Sequence, residues 1–499
     1  MPEPIRALAF ILIAIILAYG LFNRAFSQLI GQPLFKKLVI TYIFILFSAA
    51  ISPGYWFFLL LVLFYIYFLS PDAKNNRLAY FFMVLLAVPN FWLDIPGLGV
   101  VRFIMTMSYP RFLILALLFS LLLNKTTTET KPYRYLASDT ILTLYILLKS
   151  ILGFRDDTLT NAARESLMLF IDVFLPYFVI SRHIGSKEQF KQLLAIFLFA
   201  MLCLSLVAVI ELVKNWHLYN PFIAKLGTQN PYSLYLYRSG MLRASTVFYS
   251  PIALGYAITL AFAAYLYLRP MITIPITQRI IAIVLLMGLG ASLSRGPWLG
   301  FVILILTFTF LQKGAIQKTL KALATLLVAL PLLSLTPYWD KFISLLPFIG
   351  TVEAENITYR QRLIDNAWLV FQKYPLFGSP NYLDEPEMQR MIQGQGIIDV
   401  VNSYIGVVLE IGAIGLFLFV YFFVWLLLKA YRLTRIIEES DEVLYRLGLS
   451  LISALTCTMF TISTVSSIDY IPYLYWSFSG MLAAYIILTR EQIDKQQHV

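Results

Sequence analysis

Residues 7–22 read ALAFILIAIILAYGLF, an apolar run with no charged residue, preceded by Arg6 and followed by Asn23 and Arg24. With its flanks the run approaches the ~20 residues a helix needs to cross a bilayer. Polar residues rather than a small-residue cleavage site follow it, so it reads as a retained membrane helix and not a signal peptide. Runs of this kind recur to the C-terminus, enough for about 14 or 15 spans at ~20 residues each. The whole composition agrees: 60% of residues are hydrophobic and 13% charged, with a mean hydropathy of +0.77, outside the range of soluble domains. The expected fold is an all-α polytopic membrane protein. It divides into N-terminal transmembrane helices (1–242), helices with arginine-bearing outer ends (243–335), a long external loop with short amphipathic helices (336–401), and C-terminal helices ending in a short cytoplasmic tail (402–499).

A net charge of +11 does not imply nucleic acid, because the basic residues are scattered singly through short loops and form no patch. The loops 24–37, 74–77, 125–134, 182–191, 269–279, 313–321 and 429–446, with the tail, alternate onto one side and carry 22 of the 38 Lys and Arg residues. The positive-inside rule makes that side cytoplasmic. Both cysteines, Cys203 and Cys457, fall in apolar runs, and the histidines are only His183, His217 and His498. Neither a disulfide framework nor a His/Cys metal centre is expected, and no cofactor is implied.

The external side then receives the turn at 155–164, the stretch 214–243, the junction LSRGPW around Arg295, and the loop 336–401. Within that loop, WDKFISLL (339–346) and NITYRQRLIDNAWLVFQKYPLFG (356–378) can both form amphipathic helices. Ile357, Arg360, Ile364, Ala367 and Phe371 fall on one helical face, while Arg362 lies about 200° further round with Asp365, Asn366 and Lys373. That phase predicts a buried Arg360, which needs an anionic partner: either a phosphate-bearing ligand, for which guanidinium is suited, or Glu353, Glu355 or Glu410. Arg295 and Arg243 repeat the pattern at the outer ends of other spans, where snorkelling to the interface is the competing explanation. In NPYSLYLYRSG (230–240), Tyr235 and its neighbours offer faces for sugar rings, although tyrosine is also common at membrane interfaces. Asp172, inside the apolar SLMLFIDVFLPYF, pairs on this reading with Lys149 and raises a lipid-sugar flippase or secondary transporter as a rival class. A scaffold in a secretion complex has no need of arginines at several span ends on one face.

RASTVFYSP (243–251), LSRGPWLGF (293–301), YRQRLIDNAWLVFQKYPLFG (359–378) and VNSYIGVVLEIGAIG (401–415) resemble, in that order, the O-antigen ligase and O-antigen polymerase membrane family. The resemblance covers roughly 243–428. It implies glycosyl transfer at the outer, periplasmic face of the bacterial cytoplasmic (inner) membrane, with an undecaprenyl-diphosphate-linked glycan as donor. Membrane lipid, and the flippase and chain-length regulator of the same pathway, are the implied partners; nucleic acid is not one. Arg243, Arg295 and Arg360 match positions where the family places diphosphate-binding arginines. Where the family commonly has His-Asn-Ser-Tyr, this chain has Val401-Asn402-Ser403-Tyr404, so the family's candidate base is missing. Asp399 and Glu410 are the candidate replacements, set against a helix-start role for Asp399 and an arginine partnership for Glu410. Asn402 and Tyr404 join Tyr235 as candidate sugar contacts. The resemblance favours a polymerase of exopolysaccharide or O-antigen repeats, with an O-antigen ligase as the alternative.

Overall fold

The computed structural model describes residues 2–97, 99, 101–123, 135–155, 158–228, 235–238, 240–314, 317, 354–393 and 396–497. The protein is a 76% helical polytopic bundle with almost no sheet. In chain order its principal helices are α1 (Glu3–Ile30), α2 (Gln32–Ile51), α3 (Lys187–Lys214), α4 (Pro251–Leu268), α5 (Pro275–Ala291), α6 (Arg295–Phe310), α7 (Ala354–Lys373), α8 (Ser403–Ile436), α9 (Glu442–Ile462) and α10 (Ile471–Gln497). Among the described residues seven helices are long and apolar enough to cross a membrane: α1 to α4 and α8 to α10. Four shorter apolar helices accompany them, α5, α6, Tyr55–Leu69 and Tyr109–Leu123. Among the described residues fewer full-length spans appear than the roughly 14 or 15 expected from the whole sequence. At 1.5 Å per residue the short helices fall below the ~30 Å hydrocarbon thickness, and the 159–183 run is divided by a π-helical turn at Phe170–Phe174. The WDKFISLL segment lies outside the described residues.

Helix α3 is the centre of the N-terminal half. Its apolar window is 83% buried, and it packs against α1, α4 and α5. A second packed seam joins α8 to α10 through Phe419, Phe422, Phe423 and Trp476, whose rings meet edge-on, tilted or stacked at 5.1–6.2 Å. Such aromatic pairs add to the burial of their large surfaces.

Contacts between loops fix which of them share an end of the bundle. Lys37 pairs with Asp72, the Thr273 hydroxyl reaches Gln28 at 3.4 Å, and Gln192 donates to the Ile30 carbonyl at 3.4 Å. Lys187 and Gln492 both bind Asp441, at 2.7 and 2.8 Å, and Lys313 meets Glu439 at 3.0 Å. All of these belong to the basic loops and their flanks, so those loops gather at one end. The other end carries the junctions before α4, α6, α8 and α10, and a β-hairpin of β1 (Trp92–Pro96) and β2 (Phe103–Ser108). Arg164 anchors that hairpin by donating to the carbonyls of Ile104 and Phe103, at 3.0 and 2.8 Å.

Candidate functional site

The α5–α6 junction is the keel of the site. Ser292 and Ser294 interrupt the apolar run, Leu293 turns with a φ of 45°, and α6 restarts at Arg295. The strand pair Tyr237–Arg238 and Met241–Leu242 is stitched across this junction. Arg238 donates to the Leu293 carbonyl, the Ala244 N–H to the Ala291 carbonyl at 3.0 Å, and Arg243 Nη2 to Ser294 Oγ at 2.9 Å. Gly296 lies against the loop between α9 and α10, where a Cβ on it would stand 2.8 Å from Thr464 Oγ1. Arg360 Nη2 donates to the backbone carbonyl of that same Thr464 at 3.2 Å. The segments bearing Arg243, Arg295 and Arg360 therefore meet along Ser294–Gly296 and Thr464.

Helix α7 sits with a different phase from the one its sequence suggested. Leu363, Ala367 and Val370 are its buried stripe, packed on Met388, Met391 and Leu409. Arg360 and Ile364 are exposed, on the flank next to that stripe. Arg360 thus borders the bundle without being buried in it, while Arg362 projects from the far side. The stripe is chosen by the short 386–389 helix and the start of α8, which no local pattern announces.

The turn after α7 is locked into α8. Helix α8 breaks at Gly412, with φ 73° and ψ −173°, a region open in practice only to glycine. The break frees two N–H groups, and the α7 turn fills them: Ala413 donates to the Pro375 carbonyl at 2.9 Å and Ile414 to Leu376 at 3.3 Å. Ser379 returns a bond to the Leu409 carbonyl at 2.8 Å. Gly378, with φ 60°, lies so close that a Cβ on it would stand 2.6 Å from the backbone of 410–412. The glycines of YPLFG and EIGAIG are therefore two halves of one backbone joint.

The carboxylates are distributed by this frame. Asp399 Oδ1 accepts from Ser466 Oγ at 2.9 Å, and the Asp399 carbonyl accepts from Tyr359, next to Arg360, at 3.0 Å. Ser466 also reaches the Val400 carbonyl, while Ser403 binds the Val465 carbonyl through its N–H and hydroxyl, at 3.1 and 2.8 Å. Asp399 is thereby held against the loop that meets Arg360 and Gly296. Glu410 is not: it pairs with Lys149 at 2.8 Å rather than with an arginine. Lys149 is consequently not the partner of Asp172, which binds Arg111 through both oxygens at 3.0 and 2.5 Å. Pairing across 261 and 61 residues follows tertiary placement and cannot be read from spacing.

The sugar candidates do not gather. Asn402 caps α8, its Oδ1 accepting from the N–H groups of Tyr404 and Ile405 at 2.9 and 3.3 Å. The Tyr404 hydroxyl donates to the Met459 carbonyl at 2.8 Å. Tyr235 lies over the ring of His217, centroids 4.7 Å apart. Val401, where the family's histidine falls, packs into the α7 cluster.

Two acids escaped the sequence reading. Glu211, buried at the end of α3, accepts from the N–H groups of Leu218, Ser245 and Thr246 at 3.0, 3.1 and 3.0 Å. His217 Nδ1 is 3.4 Å away. Glu211 therefore fixes the turn that carries Arg243. It is the only acid between Gln189 and Lys214, and the rule that singled out Asp172, an ionisable group in an apolar run, finds it too. Asp469 follows Ser466 in the α9–α10 loop. Its carboxylate is enclosed beside Asn90 and the Tyr470 backbone, its φ is 54°, and burial pushes its pKa up to about 7. All five non-glycine residues with positive φ among the described residues, Asn215, Thr246, Tyr249, Leu293 and Asp469, lie at this end. Strain of that kind concentrates where structure serves function.

Taken together, the geometry presents several guanidinium-bearing segments and a hydrogen-bonded carboxylate on one end of a membrane bundle, a setting suited to binding a charged headgroup at a bilayer surface. Residues 280–420 match the O-antigen ligase family. Over this span, less than a third of its length, the chain is similar to the O-antigen ligase family, and no curated protein matches it. The matched O-antigen ligase segment takes in Arg295, Arg360, Asp399 and the Gly378–Gly412 joint, and leaves Arg243 and Glu211 outside.

Proposed function

We propose that the protein polymerises undecaprenyl-diphosphate-linked oligosaccharide repeats into exopolysaccharide or O-antigen at the outer face of the cytoplasmic membrane. The observation that supports this most directly is the meeting of the Arg243, Arg295 and Arg360 segments at Ser294–Gly296 and Thr464, with Asp399 held against the Thr464 loop by Ser466. In the reaction, a hydroxyl oxygen of the acceptor attacks the anomeric carbon of the donor's first sugar. The carbon–oxygen bond to the diphosphate breaks, its electron pair stays on the departing lipid diphosphate, and the hydroxyl proton passes to Asp399. Negative charge grows on the leaving group, so guanidinium groups fixed at that place stabilise the transition state more than the ground state.

The description of the matched family favours a second reading, transfer of a finished lipid-linked chain to an acceptor as an O-antigen ligase. Donor chemistry and arginine roles are the same in both. A flippase or transporter would rest on the Asp172–Arg111 pair in place of the expected Asp172–Lys149 pair. Surface polysaccharide from a strain lacking the chain decides the matter: accumulated single lipid-linked repeats support the polymerase, and long lipid-linked chains without their acceptor support the ligase. Normal polysaccharide in that strain refutes both.

A further inference from the structure

Beyond α7 from Arg360, a cleft of about 630 Å³ opens between the Arg155 turn and the 374–386 segment, lined chiefly by Arg155, Tyr374, Ser379, Asn381, Asp384 and Glu385. We propose that this cleft holds a second stretch of glycan, the chain already made, while the reacting end lies at the arginines. The proposal rests on the glycosyl-transfer reading and adds a binding site to it.

The cleft is built on the lock between α7 and α8. Arg155 donates to the Gly378 carbonyl at 2.9 Å, and Ser379 is bonded to Leu409, so the floor is held by the bundle and not by a free loop. Its chemistry excludes the lipid diphosphate. Two carboxylates face one guanidinium, and the nearby Lys373 ammonium is taken up by Glu385 and Glu387 at 3.0 and 2.7 Å. An anion placed there meets like charge without a matching surplus of donors. A neutral polyhydroxyl ligand fits instead: carboxylates accept from sugar hydroxyls, the Arg155 and Asn381 N–H groups donate to them, and the Tyr374 ring, 41% exposed, offers an apolar face at small entropic cost.

Distance supplies the functional link. Arg360 and Tyr374 are fourteen positions apart along α7 and its turn, about 21 Å at 1.5 Å per residue. A glycan of several sugars spans that length. Once a chain is long enough to occupy both places, the cleft retains it between additions by raising its effective concentration at the site. Short chains lack that hold, so the cleft governs how far a chain grows.

The test uses the full-length protein in detergent micelles and a fluorescent oligosaccharide of a few repeat units, cut from the host's own surface polysaccharide and lacking the diphosphate. Wild-type protein should bind it. Asp384→Asn and Tyr374→Ala should each bind about tenfold more weakly, the equivalent of one or two lost hydrogen bonds or one lost ring contact, whereas Arg295→Ala should bind it as the wild type does. In cells, Asp384→Asn should shift the polysaccharide to shorter chains while single lipid-linked repeats are consumed at the normal rate. Asp384 is exposed, so its variant remains informative if Tyr374→Ala fails to fold. No binding by the wild type, or wild-type affinity and chain length in both variants, overturns the proposal. Long lipid-linked chains accumulating in the strain without the protein would overturn the polymerase reading alone and leave the binding result standing.

Discussion

Replacing Gly412 by alanine should release the α7 turn from α8 and, with it, the placement of Arg360. A side chain at φ 73°, ψ −173° costs roughly 1–3 kcal/mol in backbone strain. Its Cβ would also run into the Leu376 carbonyl. The backbone of 375–376 must then withdraw, giving up the bonds from Ala413 and Ile414, each worth about 1 kcal/mol net. The total, about 3–5 kcal/mol, raises the population of the undocked turn by roughly two to four orders of magnitude. Hydrogen exchange followed by mass spectrometry reads this directly: peptides covering 374–386 and 410–415 should lose protection while those from α3 and α10 keep theirs. Polymer formation should fall in step. Gly406→Ala is the control, since Gly406 is helical, bonded to the Asn402 carbonyl at 3.1 Å, and a Cβ there meets nothing nearer than Val400 Cγ1 at 4.0 Å. That change should be neutral or slightly stabilising, by up to ~1 kcal/mol. Unchanged exchange in Gly412→Ala, or equal damage from Gly406→Ala, would refute the joint.

Arg295→Lys should lose most activity at matched membrane expression, because an ammonium keeps the charge but not the two-pronged donor; full activity demotes Arg295 to an interface anchor. Arg360→Ala should sharply reduce polymer, while Arg362→Ala, on the far side of α7, should cost little; polysaccharide chain length in both strains measures this, and an equal loss sinks the distinction. Asp469→Asn tests the buried acid through pH. The wild-type carboxyl stays neutral in the folded protein up to about pH 7 but ionises above about pH 4 when unfolded, so stability falls as pH rises between those values. The variant should therefore melt higher than wild type at pH 8, by an amount equivalent to roughly 4 kcal/mol at most, and close to it at pH 4; the same difference at both pH values contradicts the assignment.

The membrane fold was legible because it rests on composition and run length, which survive any rearrangement of neighbours. Arg243 and Arg295 stand out in the sequence for a related reason: a charge ending an apolar run is conspicuous wherever the run packs. The phase of α7 was not. Its apolar residues form two adjoining stripes, Leu363–Ala367–Val370 and Ile364–Trp368–Phe371, and only the first meets Met388, Met391 and Leu409. Trp368 and Ile364 remain 57% and 56% exposed. The hairpin Trp92–Ser108 escaped for a like reason, since its apolar residues read as part of a span until their strand pairing is seen. YPLFG and EIGAIG were conspicuous as motifs, yet their joint function appears only when 34 residues of chain are folded back to bring Gly378 against Gly412.

What unites the parts of the site is how its acids are employed. Glu211 is filled by three backbone N–H groups, Asp399 by Ser466, Glu410 by Lys149 and Asp172 by Arg111. Each takes a partner other than Arg243, Arg295 or Arg360. An acid in contact with one of those guanidiniums would orient it but would also cancel the charge that an anionic headgroup needs. Glu211 acts through the main chain: it binds the backbone of Ser245 and Thr246, two and three residues past Arg243, and so holds the turn that carries it. The positive φ angles of Thr246 and Leu293 belong to the same arrangement, because each re-aims the chain beside an arginine, and the apolar packing of α3 and α5 beneath them supplies the stability that such strain consumes.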